Sequence, residues 1–337
     1  MIVVTGASGF VGGAIARGLT AHGLAVRGWY RTAPGADPSL EWARVNLAAP
    51  LPAGCLAACE LLVHAAGIAH ARPTPALARE IERVNVEGTR RLLAAAEAAG
   101  VTRVILLSSV KAQGAPAPGT EGDESAEPRP EGEYGRAKLA AETLLREWSA
   151  RTGGEGIALR LPLVYGPGAK GNFARMLRAA ARGWIVTIGD GSARRSLVSR
   201  DAVAHAVRTI LRSPPRPGFR VYIVADEQPY TVLEMQEALS RAFGRRPRRV
   251  RLPLGLAHAL ASIGDAGQRL WRRPLPWSGE VLARLTEEAR YSAAAFRRDY
   301  GWHAPATLAE AAPAIVGAVP AGEARNRLAA AVATGRS

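Results

Sequence analysis

Short apolar runs alternate with longer amphipathic stretches through the first two thirds of the 337-residue chain. The runs are rich in β-branched residues, as buried parallel strands are. They predict strands near 2–5, 25–30, 42–46, 61–65, 103–108 and 157–162. The stretches between them predict helices near 10–22, 76–99 and 133–151. Such alternation predicts an α/β fold, a doubly wound parallel sheet with helices on both faces. Residues 115–133 (APAPGTEGDESAEPRPEGE) are dense in Pro, Gly and acid, and read as a loop rather than a domain linker because the pattern resumes at Tyr134. After Tyr165-Gly166-Pro167-Gly168 the alternation weakens to a helix at 171–182, a strand at 185–188, a helix at 200–212 and a strand at 219–224. Thr231-x-x-Glu234 and Thr307-x-x-Glu310 both read as capping boxes that open helices. The rest, to about 319, reads as mainly helical, and 320–337 as an Ala/Arg-rich tail. There is no internal repeat.

The first strand–helix junction, IVVTGASGFVGG, places glycines at Gly6, Gly9 and Gly12. The first suits a tight turn, the second lets backbone N–H groups approach a pyrophosphate, and the third lets the helix pack on the strand. The helix start then offers unpaired donors and the positive dipole end to phosphate. Further on, Tyr134 and Lys138 stand four apart at the start of a helix and share a face. A lysine so placed is expected to depress the tyrosine pKa by its charge and fit it for proton exchange with a sugar or alcohol hydroxyl near neutral pH. Ser108-Ser109 ends a strand, where ligands bind in parallel sheets. The YxxxK spacing alone is a common helix start; its company gives it meaning.

Hydrophobic content of 48% with 22% charged residues is that of an ordinary soluble protein. MIVVTG is already the first strand and has no basic leader, so a signal peptide is not expected. The longest apolar run, Leu252 to Ile263, is too short to span a bilayer, and a cytoplasmic location follows as the expectation. Cys55 and Cys59 lack zinc-ligand partners and read as small apolar or loop residues, neither metal-bound nor disulfide-bonded. The net charge is +15, with a cluster at Arg241, Arg245, Arg246, Arg248, Arg249 and Arg251. It reads either as a solvated loop or as an attractor for a phosphorylated substrate or an anionic membrane surface. No interleaved aromatic pattern accompanies it, so nucleic acid is not an expected partner.

TGASGFVG, His64-Ala65-Ala66-Gly67, Val84-Asn85-Val86-Glu87-Gly88-Thr89, Leu107-Ser108-Ser109 and Tyr134-Gly135-Arg136-Ala137-Lys138 together resemble the extended short-chain dehydrogenase/reductase family, its nucleotide-sugar epimerase, dehydratase and reductase group. The resemblance spans about residues 1–318. It implies a Rossmann domain over 1–165 to which 195–225 return. It also implies a smaller, mainly helical substrate domain from 166–194 and 226–319. The implied catalytic residues are Ser109, holding the reacting oxygen, Tyr134, the acid/base, and Lys138, binding the ribose and tuning Tyr134. Cofactor contacts implied are Gly6, Ser8, Gly9, Phe10, Val11, Gly12, Arg31, Asn46, Ala65, Ala66 and Gly67, with Tyr134 and Lys138. Substrate contacts implied are Ser109, Lys111, Asn172, Phe173 and Arg195, with Arg194 as a substitute for the last. Asn85 would be structural. A homodimer through the helices at 76–99 and 133–151, by their alanine-rich faces, is also implied.

The second strand ends Tyr30-Arg31 where NAD-selective relatives carry an acid, so NADP(H) is favoured over NAD(H). The residues after Ser109 are Val110-Lys111-Ala112 rather than the acid pair of dehydratases, and no extra Cys or His can be placed for C3/C5 epimerisation. C4 chemistry remains. The SSVKAQG, GAKGNFARMLRAAARG and RRSLVSRDAV segments resemble 4-ketoreductases of UDP-N-acetyl-6-deoxy-hexosamines in surface-polysaccharide synthesis. A UDP-hexose or UDP-N-acetylhexosamine 4-epimerase is the alternative, and a non-catalytic NADP-sensing protein a remote third.

Overall fold

The computed structural model describes residues 1–69, 74–271, 279, 282 and 286–319. The expected tail at 320–337 and the tip of the 67–75 loop lie outside them. The chain divides into two compact units, each assembled from separated segments.

The first unit comprises Met1–Val164, Leu197–Glu227 and Tyr291–Pro305. It opens with β1 (Ile2–Thr5), α1 (Phe10–Thr20), β2 (Val26–Tyr30), β3 (Glu41–Arg44) and β4 (Leu61–His64). There follow α2 (Pro75–Ile81), α3 (Glu87–Ala98), β5 (Arg103–Ser109), α4 (Gly132–Thr152) and β6 (Glu155–Leu161). The chain then contributes α5 (Gly171–Ala181) and β7 (Trp184–Ile188) to the second unit. It comes back for α6 (Arg200–Arg212) and β8 (Gly218–Ile223). The first unit's seven strands lie in the order β8-β6-β5-β4-β1-β2-β3, every neighbouring pair parallel.

Both sheet faces are covered, which is why its strands are apolar throughout rather than alternating. Val4, Ile105, Ile157 and Leu159 point to one face, with Ile15 and Leu19 of α1 and Val203, Val207 and Ile210 of α6. Val3, Leu62, Val104 and Leu106 point to the other, with Leu92 and Ala96 of α3 and Ala141, Leu145 and Trp148 of α4. The apolar positions of α3 and α4 are thus buried within the chain's own core. Ala94 and Ala98 of α3 are exposed.

One buried ion pair braces the lower end of this sheet. Arg103 of β5 meets Glu155 of β6 at 2.5 Å, both almost fully buried, and its guanidinium also donates to the carbonyls of Ile210, Leu211 and Ser213. A cation there satisfies the unpaired carbonyls at the end of α6.

Three elements differ from the sequence reading. The single helix expected at 76–99 is α2 and α3 joined by a π-helical turn, Glu82–Val86. Residues 291–305, read as part of the smaller domain, belong to the first unit. There α9 (Ala294–Tyr300) brings Phe296 and Tyr300 against Tyr222 of β8, with ring centroids 5.4 and 5.5 Å apart. The arginine-rich segment, read as a loop, forms a strand in the second unit.

That second unit comprises Tyr165–Ser196, Gln228–Arg290 and the chain from Ala306. After α7 (Val232–Ala242) comes β9 (Arg248–Leu252), which pairs in parallel with β7, Trp184 opposite Arg248 and Val186 opposite Val250. The Gln236 side chain of α7 bonds the backbone of Val186 in both directions, at 2.9 and 3.0 Å, and so occupies an edge of β7. α8 (Leu254–Trp271) follows, and α10 (Leu308–Gly317) ends the described chain. Both expected capping boxes are present, Thr231 with Glu234 and Thr307 with Glu310.

Candidate active site

The glycine turn is built by contact rather than by composition. Gly6 has φ +67°, and a Cβ there would stand 2.8 Å from Ala66 Cα. A Cβ at Gly12 would be driven into the Gly6 carbonyl. α1 can therefore lie against the end of β1 only because both positions lack a side chain. Gly9 is the N-cap of α1 and no side chain caps the helix. Its own N–H is spent inside the turn on Gly6 O, 2.8 Å, so the first-turn donors of α1 are the ones left to meet an anion. Ser8 and Gly9 are exposed, and Phe10 and Val11 half-buried. This uncapped helix start behind a turn of small residues, Gly6-Ala7-Ser8-Gly9, fits a dinucleotide pyrophosphate.

The Ala65-Ala66-Gly67 segment joins this turn to the catalytic candidates. Ala65 and Ala66 lie against Gly6, and a Cβ on Gly67 would be 3.6 Å from Lys138 Nζ and 3.2 Å from Asn85 Oδ1. Asn85, in the π-turn, accepts from Ile68 N at 2.8 Å and donates to Ile68 O at 3.0 Å. Its structural role is thus explicit: one side chain pairs both backbone groups of the segment beside the lysine. Such single π-turns recur at functional sites.

Beneath lies His64, fully buried. Ala66 N–H donates to Thr5 Oγ1, and Thr89 Oγ1 donates to Asn85 O at 2.6 Å. These bonds fix the ring: Thr5 donates to Nδ1 at 2.7 Å, and Nε2–H donates to Thr89 at 2.9 Å. Burial, with the Lys138 charge, holds the imidazole pKa down at about 3.

Lys138 of α4 is buried and donates to Leu107 O at 2.7 Å. Burial lowers its pKa to about 8, while the Glu142 carboxylate opposes the fall. Tyr134 lies one turn earlier, its ring centroid 5.9 Å from Lys138 Nζ. Burial raises its phenol to about 12, against the pull of a hydrogen bond with Ser109. Desolvation is the larger of these two influences, Lys138 is not among the groups that lower the phenol, and Tyr134 keeps its proton at neutral pH. Ser109 caps a short 3₁₀ turn, Val110–Ala112, by accepting from Lys111 N at 3.2 Å. Gly135 packs on the Lys111 carbonyl so closely that a Cβ there would collide with it.

Glu142, Arg160, Ser108 and Gln113 went unmarked in the sequence. Glu142 is fully buried and stands four residues beyond Lys138 and eight beyond Tyr134, on the same face of α4. Arg160 of β6 donates to it twice, at 3.1 and 2.8 Å, and Ser108 Oγ donates as well. Arg160 also reaches Gln113 Oε1 at 3.0 Å, and Gln113 donates to Asp123 O at 2.6 Å. The 114–131 loop is thereby tied to the pair behind Lys138, and Tyr291 OH donates to Gly114 O at 3.0 Å. The signal was present: an acid on the otherwise apolar, core-facing side of an amphipathic helix.

The remaining candidates are more scattered. Arg31 is exposed at the end of β2, 3.8 Å from Glu80. Asn46 is exposed and accepts from Ala48 N in a local turn. Lys111 is half-buried. In the second unit, Phe173 has no exposed surface and stacks on Tyr165. Its ring is part of the core of that unit. The Asn172 side chain lies outside the described residues. Arg195 donates to Glu287 O at 2.6 Å, and Arg194 to Pro229 O at 2.9 Å. Cys55 and Cys59 are free thiols. Among the described residues, no cluster of His, Cys, Asp and Glu could hold a metal ion.

Known proteins share this architecture. The UDP-glucose 4-epimerase of Vibrio cholerae is 28% identical over 92% of each chain. The 4-hydroxy-2-methyl-3-oxo-4-farnesyl-3,4-dihydroquinoline-1-oxide ketoreductase of Stigmatella aurantiaca is 28% identical over 95% of this chain and 97% of its own. The structure of MoeE5 in complex with UDP-glucuronic acid and NAD superposes with a TM-score of 0.76, at 26% identity over 95% of this chain and 99% of that one. Residues 2–225 match the NAD dependent epimerase/dehydratase family, and the chain belongs to that family.

Proposed function

We propose that the protein acts at C4 of a nucleotide-diphosphate sugar, and that its reaction is 4-keto reduction of a UDP-4-keto-6-deoxy-N-acetylhexosamine. The observation that supports this most is the chain of contacts from the Gly6 turn through Gly67 to Lys138, Tyr134 and Ser109. It brings a cofactor-binding turn and a proton-transfer group to the same strand ends. A bound nicotinamide would supply the hydride. The first turn of α1 would hold its pyrophosphate, and Lys138 and Tyr134 its ribose. Ser109 would hold the carbonyl oxygen while Tyr134 gives that oxygen its proton. Lys138, still protonated at neutral pH, would stabilise the phenolate that remains. Lys111 and Arg195 are the cations proposed to meet the diphosphate, and self-association through the outer faces of α3 and α4 belongs to the same reading.

NADPH oxidation with UDP-4-keto-6-deoxy-N-acetylglucosamine tests the reaction. Tyr134→Phe is expected to lower kcat by about 100- to 10,000-fold and leave cofactor affinity within about threefold. UDP-hexoses that interconvert without added cofactor would instead assign a 4-epimerase. For the cofactor, Arg31 and the lack of an acid at Tyr30 favour a 2′-phosphate. Arg31→Ala should weaken NADPH binding about tenfold and leave NADH unchanged; native protein that prefers NADH overturns this. A second reading, reduction of a lipophilic ketone, is favoured by the near full-length match to the Stigmatella ketoreductase.

A further inference from the structure

In the second unit, α8 is turned inside out. Its buried stripe is small: Ala257 and Ala261, packed against Ile188 and Leu252, and Gly264. Among its described side chains, the large apolar ones face outward instead. Leu256, Leu260 and Ile263 are 51, 37 and 68% exposed. They recur at i, i+4 and i+7, which is one stripe of a helix. Helices of water-soluble proteins direct such residues to the core.

The adjoining strands repeat the pattern. Trp184 and Val186 of β7 and Val250 of β9 are each about two-fifths exposed. Their register puts them on one sheet face, with Ile188 and Leu252, which touch α8. Uncovered apolar groups of the helix and of the sheet therefore belong to the same side of the β7–β9 pair.

The charge near this face is mainly positive, with Arg248 on the face itself and Arg245 and Arg246 just before the strand. Residues 241–263 hold six arginines and no acid, and all six arginines are exposed. Glu237 pairs with Arg241 and Arg249. The Arg248 guanidinium lies over the Trp184 ring, 5.8 Å from its centroid. No helix among the described residues is long and apolar enough to cross a membrane.

We propose that this face docks the protein on an anionic lipid bilayer. α8 lies in the plane of the surface, Leu256, Leu260, Ile263 and Trp184 enter the headgroup region, and Arg245, Arg246 and Arg248 meet lipid phosphates. Charge decides between occupants. A second copy laid on the same face would bring Arg245, Arg246 and Arg248 against their like, whereas an anionic surface is complementary to these arginines and accepts the leucines. The inference stands apart from the proposed reaction, since it uses none of the catalytic residues.

Co-sedimentation of the full chain with phosphatidylcholine vesicles, with and without about 30% phosphatidylglycerol, tests it. Binding is expected to the anionic vesicles only and to fall steeply with added salt. Arg245→Ser with Arg246→Ser should weaken it roughly 30-fold. Leu256→Ser, Leu260→Ser and Ile263→Ser together should abolish it even at low salt, with an unchanged melting curve because all three are exposed. The proposal is overturned by no binding to anionic vesicles at low salt, or by a folded triple variant that binds like the native chain. It is equally overturned if sedimentation velocity shows the triple variant turning a dimer into a monomer, which would make a second copy the occupant.

Discussion

At the level of single residues, Lys138 is held charged in a place that disfavours charge. Burial disfavours its charge and the Glu142 carboxylate favours the proton, while the neighbouring His64 is neutral and Tyr134 keeps its own proton. Its folded pKa of about 8 lies below the ordinary lysine value of 10.5. Stability is therefore lower while both states are protonated, and it rises as pH climbs from 8 towards 10.5, where only the folded form has lost the proton. Activity that needs the ammonium should fall over the same rise. Glu142→Gln removes the supporting charge, so Lys138 is expected to titrate below 8 and the high-pH limb of kcat/KM to move down with it. The chain has three lysines, and side-chain ¹⁵N or ¹³C NMR with Lys138→Met for assignment reads this without substrate. An unchanged titration in a folded variant would contradict it. Stripping one partner from a buried pair costs about 3–5 kcal/mol, and Glu142→Gln/Arg160→Met removes both charges should the single variant be too unstable. Of these residues the sequence made Tyr134, Lys138 and Ser109 legible, because their spacing is local. Arg160 lies 18 positions from Glu142, and no local pattern pairs them.

At the level of elements, the strand ends and the turn carry the site, and these were read with least error. β1, α1, β4, β5 and α4 fall within about two residues of their expected places because apolar runs and capping residues are short-range signals. The π-turn was missed, since one residue inserted into a helix leaves the apolar periodicity nearly intact. β9 was missed for the opposite reason: Arg248, Arg249 and Arg251 give it the composition of a loop, and only pairing with β7 makes it a strand. The glycine turn offers the sharpest test at this scale. Gly12→Ala forces a methyl into the Gly6 carbonyl, and α1 must lift from β1. A loss of about 1–3 kcal/mol in stability is expected, read by urea unfolding. Cofactor affinity, read by fluorescence titration, should fall alongside it.

At the level of the whole molecule, the fold class was legible and the division of the chain less so. The recurring strand–helix pattern announces the parallel sheet. Residues 291–305 were placed in the smaller domain because they follow its helices. They belong to the first unit because Phe296 and Trp302 join the core behind Tyr222. That placement has a consequence for synthesis. The ribosome delivers the first 164 residues as a nearly complete sheet, yet the edge strand β8 comes more than 50 residues after β6, and the aromatic plug more than 60 residues after β8. Until residue 305 has emerged, Tyr222 and Val224 lack their cover. The nascent sheet must wait with an apolar flank open while most of the other unit is made, so the interval in which this chain most needs a chaperone is written into the order of its segments.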